Sequence, residues 1–293
     1  MTANMFEKGC LVQLSVSKWG GVKKIDSNML GGMVKNTDRE WLTASKKLVS
    51  PESLKPICKI GSAARNWLLT QTLPFPITGL LFIPRDLISQ VDEELFDFKD
   101  EFKEAVSEFT ADYKDLRKTA KKCLGDLFNE VDYPSDIASK FRFSWRFVVL
   151  DVPGKKSRIL SPEVYAREQE KFIQTMEEAR SMAIEALREE FAQMVEHISD
   201  RFSENKNGDP KIFKNSTVDS FYDYFQTFKE RNIFEDGQLA ELVERAQAIL
   251  NGTEADQIRS NTRLKEKIRG DMTDIEASIA ELFSRPRRRI VMD

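Results

Sequence analysis

The longest regular pattern of apolar residues in the chain lies between residues 85 and 129. Its apolar positions follow one another at intervals of three or four residues from Val91 to Leu127, and no proline interrupts them. This spacing predicts a long amphipathic α-helix with near-heptad repeats. The distribution of charge also supports a helix, because acids dominate up to Asp112 and bases dominate from Lys114 to Lys122. The helix dipole favours this order.

A second long helix is predicted from Ser161 to about Phe202. It begins with a serine suited to be the N-cap, a proline at the first helical position and an acid in the first turn. Its apolar positions, from Ile173 to Ile198, are again spaced by three, four or seven residues. Because two such stripes have to be buried, we predict that the long helices pack against each other as an antiparallel hairpin over residues 85–204.

The chain before these helices, residues 1–84, is predicted to form a small α+β element. A strand is indicated at Leu11–Val16, and residues 41–49 are a second β-prone stretch. Between them and the long helices we expect a helix from 51 to about 70 and a short buried strand at 77–83, which ends at a proline.

A further strand is predicted at 141–151, inserted between the two long helices. Aromatic residues alternate there with arginine and serine, and this period of two is typical of a half-buried strand. The strand either decorates the tip of the hairpin or pairs with the N-terminal strands. Its aromatic content favours pairing, because an isolated strand is not stable in water.

A linker is predicted at 205–210, and the C-terminal helical region follows it over 211–293. That region contains shorter helices and ends in a basic tail at 285–289. Taken together, these patterns predict a mainly α (α+β) protein, with the long helical hairpin as its dominant feature.

Composition narrows the classes of protein that this chain can belong to. Its 293 residues are 41% hydrophobic and 32% charged, a composition that is too apolar for a disordered chain. The formal net charge of -3 excludes a globally basic nucleic-acid binder. The N-terminus lacks the pattern of a signal peptide, and the most apolar run, 77–83, is far shorter than a membrane span. We therefore expect a cytoplasmic protein.

No motif for catalysis or cofactor binding is readable. The single histidine, His197, has Gln193 and Arg201 four residues away, which are poor metal ligands, and the three cysteines lie far apart. Neither a P-loop nor a dinucleotide-binding glycine motif is present. Acidic pairs on the long helices are interpreted as a solvated face, so we predict no catalytic residue, no metal site, no cofactor and no enzyme activity.

Charge is distributed unevenly along the chain. Residues 1–84 hold 11 bases and five acids, and residues 135–160 hold six bases and two acids. If the two segments share a sheet, they form a basic surface that could contact phosphates, with tryptophans to stack on bases. Packed tryptophans with solvated lysines are the favoured interpretation, and an acidic protein partner would also fit a basic surface. The first candidates for nucleic-acid contact are Arg142, Arg146, Lys155, Lys156 and Arg158.

Several stretches resemble a known family. They are Leu14–Ile25 (LSVSKWGGVKKI), Leu48–Pro56 (LVSPESLKP), and an apolar segment that ends at Pro84 and precedes the long charged helix. Over roughly residues 10–200 the chain resembles the DUF3150-type family of uncharacterised bacterial and phage proteins. The resemblance implies a gene near a MoxR-type AAA+ ATPase and a von Willebrand factor A protein, often on phages and mobile elements. It implies no active-site residue.

The leading hypothesis is a non-enzymatic scaffold or adaptor of a phage or mobile element, which binds partner proteins through the long helical hairpin. The resemblance implies the AAA+ ATPase or the von Willebrand factor A protein as partners. The alternative is a nucleic-acid-binding protein that uses a basic surface from residues 1–84 and 140–158. A third hypothesis is a dimer built through the long helices, in which assembly is itself the function.

Overall fold

The computed structural model of the chain describes residues 5–25, 41, 43–151, 160–202, 215–250, 258 and 261–284. The strands within these ranges are β1 (Gly9–Ser17), β2 (Val22–Lys24), β3 (Ser45–Lys47), β4 (Leu73–Pro74), β5 (Leu81–Pro84) and β6 (Arg142–Val148). The helices are α1 (Pro51–Gln71), α2 (Ile88–Leu124), α3 (Pro162–Arg201), α4 (Asn215–Arg231), α5 (Gly237–Leu250) and α6 (Thr262–Ser284). None of these helices is long and apolar enough to cross a membrane.

The predicted fold class, mainly α with a small β element near the N-terminus, is confirmed. Both long helices are present, with 37 residues in α2 and 40 in α3. The N-cap predicted for the second of them is also confirmed, because the Ser161 hydroxyl accepts a hydrogen bond from the Val164 amide at 3.3 Å. A cap of this kind satisfies one of the amides that the first helical turn leaves without a partner.

Four strands form one sheet in the order β4-β5-β1-β6, and β2 and β3 form a separate antiparallel ribbon. The strand predicted at 141–151 therefore pairs with an N-terminal strand, as its aromatic content favours. β1 approaches β5 closely at Gly9, where a Cβ atom would lie 2.1 Å from the Ile83 carbonyl oxygen. Only a glycine fits at that position.

The chain divides into two compact units. The helical unit consists of Met1–Leu11, Thr70–Ile88 and Val148–Asp293. In its core the apolar stripe of α3 packs against α4, α6 and β4. Helix α5 packs against α4 and α6, and β5 packs against α4. The residues of α3 that this core buries are Ala179, Ala183, Leu187, Phe191, Val195 and Ile198.

The mixed unit consists of Val12–Leu69 and Ser89–Phe147. It contains nearly all of α1 and α2, the β2–β3 ribbon, and parts of β1 and β6. The aromatic side of β6 packs along α2, with the rings of Phe143 and Phe102 5.6 Å apart and those of Phe141 and Phe109 also 5.6 Å apart. These pairs bury the stripe that the spacing of apolar residues predicts for α2.

The apolar stripes of the two long helices have different partners. The stripe of α2 is buried in the mixed unit and that of α3 in the helical unit, so each stripe finds its described partners in its own unit. The physical reason is that other apolar surfaces compete for each stripe. The aromatic face of β6 covers α2, and the amphipathic helices α4 and α6 cover α3.

Candidate interaction surfaces

The outward face of β6 carries two of the residues predicted to contact nucleic acid. Arg142 and Arg146 are both exposed, and the Arg146 Nε donates a hydrogen bond to Gln13 Oε1 on β1 at 2.7 Å. Residues four apart on a strand share a face and lie about 13 Å apart. Lys155, Lys156 and Arg158 fall outside the described residues, so the predicted group is placed only in part.

The inward face of β6 holds aromatic side chains against α2. Trp145 makes an edge-to-face contact with Phe96 at 4.8 Å between ring centroids, and its indole Nε1 donates to Asp92 Oδ1 at 2.7 Å. Trp19 is packed in the same way, edge-on to Tyr113 at 5.9 Å. The interpretation of the tryptophans as packing residues therefore holds for these two, whereas Trp41 is 85% exposed.

An aromatic patch remains at the surface beside β6, made of Phe96, Lys99, Trp145 and Phe147. Phe96 is 49% exposed and Phe147 is 37% exposed. The Lys99 ammonium lies 5.5 Å from the centre of the Phe96 ring and 5.4 Å from that of Trp145, within cation–π range. Sequence analysis missed Phe96. The available signal was that it falls outside the three-and-four spacing of the α2 stripe.

A second surface is the lysine ribbon, made of Lys23, Lys24 and Lys47 on β2 and β3. All three are exposed. Their neighbour Lys46, paired with Lys23 across the ribbon, is instead turned inward, where its Nζ contacts Asp132 Oδ2 and the Leu127 carbonyl oxygen, each at 2.6 Å. The excess of bases in residues 1–84 thus includes three solvated lysines on one small ribbon and one lysine used for packing.

A third surface is the front half of α3, residues 162–178. No side chain in it is buried, although the apolar residues that continue the stripe of the buried half are present. Met176 packs at the edge of the core, and Ile173 is 48% exposed. The remaining apolar residues of the front half, only half-buried, are Val164, Tyr165 and Phe172.

Several polar side chains inside the helical unit bind one another. Arg231 binds Glu190 through two hydrogen bonds, at 2.6 and 3.2 Å, which tie α4 to α3. Arg188 of α3 binds Asp236 at 2.6 Å. Burial raises the pKa of the Tyr224 hydroxyl, which stays protonated and donates to the Leu187 carbonyl oxygen at 3.1 Å. This network ties α3 to α4 and to Asp236, the residue before α5.

The residues considered for metal or thiol chemistry are dispersed. Within the described ranges, no three histidine, cysteine, aspartate or glutamate side chains gather so that they could hold a metal ion. His197 is exposed, and its Nε2 lies 3.3 Å from Arg201 Nε. All three cysteines are free, and burial raises the pKa of the Cys10 thiol, which reduces its thiolate fraction.

Comparison with known protein families finds a match for the N-terminal two thirds of the chain. The family model DUF3150, described as a protein of unknown function, matches residues 6–205, a range that covers every element from β1 to α3. No curated protein and no solved structure matches the chain. The resemblance found in the sequence is confirmed over two thirds of the length: the chain belongs to the DUF3150 family.

Proposed function

We propose that the protein is a non-enzymatic adaptor that binds a partner protein through the front half of α3. The observation that carries the proposal is the change in burial along this helix. From Ala179 onward its stripe is buried in the core, whereas between Pro162 and Glu178 the same stripe contains no buried side chain. The front half is about 25 Å long.

The apolar side chains of the front half indicate what kind of partner surface would cover them. Each apolar side chain that becomes fully buried contributes about 1.5–3 kcal/mol, so half-covered residues such as Phe172 and Ile173 favour a binding partner. In the core, helices α4 and α6 cover the same stripe, and we therefore infer that a helix of the partner protein covers its front half. The family resemblance makes an AAA+ ATPase or a von Willebrand factor A protein of a phage or mobile element the first candidates.

A charge on the front half tests the adaptor function. We expect Ile173→Glu to reduce recovery of the partner at least tenfold in a quantitative pull-down with the full tagged chain from nuclease-treated host lysate. Tenfold corresponds to about 1.4 kcal/mol, less than the cost of burying an unpaired carboxylate in an apolar contact. Gln174→Glu, an equal charge change at the neighbouring exposed position, is the matched control and should retain the partner.

Unchanged recovery with Ile173→Glu would contradict the proposal. Thermal unfolding followed by circular dichroism shows whether both variants are folded. Because Ile173 and Gln174 are both exposed, we expect their melting curves to coincide with that of the unmodified chain.

A second candidate function is nucleic-acid binding through the lysine ribbon. A two-stranded ribbon has dimensions that fit the major groove of DNA, and three exposed lysines can neutralise phosphates. Arg142 and Arg146 provide further exposed bases in the same unit.

Salt dependence tests this second function. We expect binding of a 20-base-pair duplex, measured by fluorescence anisotropy, to weaken steeply as salt rises. Replacing the three ribbon lysines by glutamate should reduce the steepness of the log K against log salt plot by up to about three units, roughly 0.9 per lost phosphate contact. The control is the equal charge change at Lys171, Lys229 and Lys267, exposed lysines of the helical unit. Equal binding by the two triple variants would contradict the ribbon as the site.

A further inference from the structure

We propose that the open edge of β6 binds an extended acidic segment of a partner protein, which joins the sheet as a fifth strand beside β6. This inference rests on the adaptor function only in taking the ligand to be a protein, because it uses a surface of the mixed unit rather than the front half of α3. It is carried by the position of β6 in the sheet, the packing that fixes it, and the charges it displays.

The first argument is the edge itself. β6 is seven residues long and ends the strand order, and no strand lies beyond it in the described part of the chain. The edge of a sheet presents a row of backbone amides and carbonyls that a further strand can pair with. Proteins commonly protect such an edge with a proline or an inward-pointing charge. β6 has no proline, and its inward positions are aromatic.

The second argument is that β6 is already held in the conformation that strand pairing needs. Phe143 packs on Phe102, and Trp145 is fixed both by its contact with Phe96 and by its hydrogen bond to Asp92. Binding to a strand that is ordered in advance avoids the entropy cost of ordering it in the complex. Backbone hydrogen bonds then supply affinity, and the side chains of alternate positions supply specificity.

The third argument identifies the ligand. Arg142 and Arg146 stand on the outward face of the edge strand, where carboxylates at alternate positions of an added strand would face them. The other face of the added strand would meet the aromatic patch, whose Phe147 and Phe96 are exposed. An added segment therefore needs acidic residues on one face and apolar residues on the other.

Two other occupants of this edge fit the observations less well. A second copy of β6 would bring arginines of both copies onto one face of a joined sheet, and like charges on adjacent strands are destabilising. A nucleic acid could bind the arginines, but it would use neither the backbone edge nor the packing surface of Phe147. A protein segment uses all three features.

The experiment measures binding of a fluorescein-labelled peptide, Glu-Val-Glu-Val-Glu-Val-Glu, to the full chain by anisotropy. Two altered peptides separate the contribution of backbone pairing from that of charge. One carries N-methyl groups on alternate residues, which block strand pairing, and the other has lysine in place of glutamate. We expect binding of the first peptide to be at least tenfold tighter than that of either altered peptide. Amide hydrogen exchange in residues 142–148 should slow when the first peptide is bound.

Variants of the protein complete the test. Arg142→Glu with Arg146→Glu should weaken binding of the acidic peptide at least tenfold. The matched charge change at Arg167 and Arg263, exposed arginines of the helical unit, should leave binding unchanged. Equal binding of the methylated and unmethylated peptides would overturn the proposal, as would absence of peptide binding.

Arginine-dependent binding of a 20-base-pair duplex without peptide binding would also overturn it and would assign the surface to nucleic acid. Failure here is distinguishable from failure of the adaptor function, because Ile173→Glu should leave peptide binding intact. Conversely, the Arg142→Glu and Arg146→Glu changes leave the front half of α3 unaltered.

Discussion

Replacing Phe191 by alanine is expected to lower the free energy of unfolding by about 3–5 kcal/mol, the usual cost of removing a buried phenyl ring. Phe191 is fully buried at the centre of the helical unit, where its ring stacks on Tyr224 with the centroids 5.8 Å apart. The cavity left behind would lie between α3 and α4, the first of the helices that cover the stripe of α3. Urea unfolding followed by far-ultraviolet circular dichroism measures the change.

A matched control for this variant is Phe283→Ala on α6. Phe283 is 48% exposed, so the same truncation there should cost less than about 1 kcal/mol. If both variants lowered the stability equally, the stripe of α3 would not be the centre of this core, and the assignment of its partners would be wrong.

The change Arg231→Met should destabilise the protein by about 2–4 kcal/mol. Arg231 is 3% exposed and holds Glu190 by two hydrogen bonds, so its removal leaves a partly buried carboxylate without its partner. The expected loss is somewhat below that of a fully buried ion pair, about 3–5 kcal/mol, because the Glu190 side chain keeps 32% of its exposure. Thermal and urea unfolding of the full chain measure it.

Two further variants test the reason for that loss. Adding Glu190→Leu to Arg231→Met should recover much of the stability, because the unpaired charge is then removed as well. Lys171→Met breaks an exposed pair with Glu168 and should cost no more than about 0.5 kcal/mol. A double variant no more stable than Arg231→Met would show that packing of the arginine stem, rather than pairing of its charge, stabilises the junction of α3 with α4.

The helices could be predicted from the sequence because their signals are local. The intervals of three and four residues in α2 and the cap at Ser161 in α3 depend only on neighbours within one or two turns. What covers each stripe could not be predicted, because periodicity marks an apolar face without naming its partner. The partners are separated in sequence, and several amphipathic segments compete for each face.

The same distinction between local signals and contacts distant in sequence applies to the candidate surfaces. Strict alternation in β6 placed Arg142 and Arg146 on the outward face correctly. The lysine ribbon depends on the pairing of Lys23 with Lys46, which lie far apart in sequence, and no local pattern reports such a pairing. Phe96 could be recognised only as a departure from its helix pattern, and its exposure follows from where β6 packs.

Site-specific photo-crosslinking in host cells tests the central claim, that the front half of α3 binds a partner, most directly. A photoreactive phenylalanine analogue is placed at position 173 or at 171, which lies about 200° around the helix from it. The adaptor function predicts a covalent product with a defined partner protein from position 173 and none from position 171. Identical products from both positions, or no product from position 173, would contradict it.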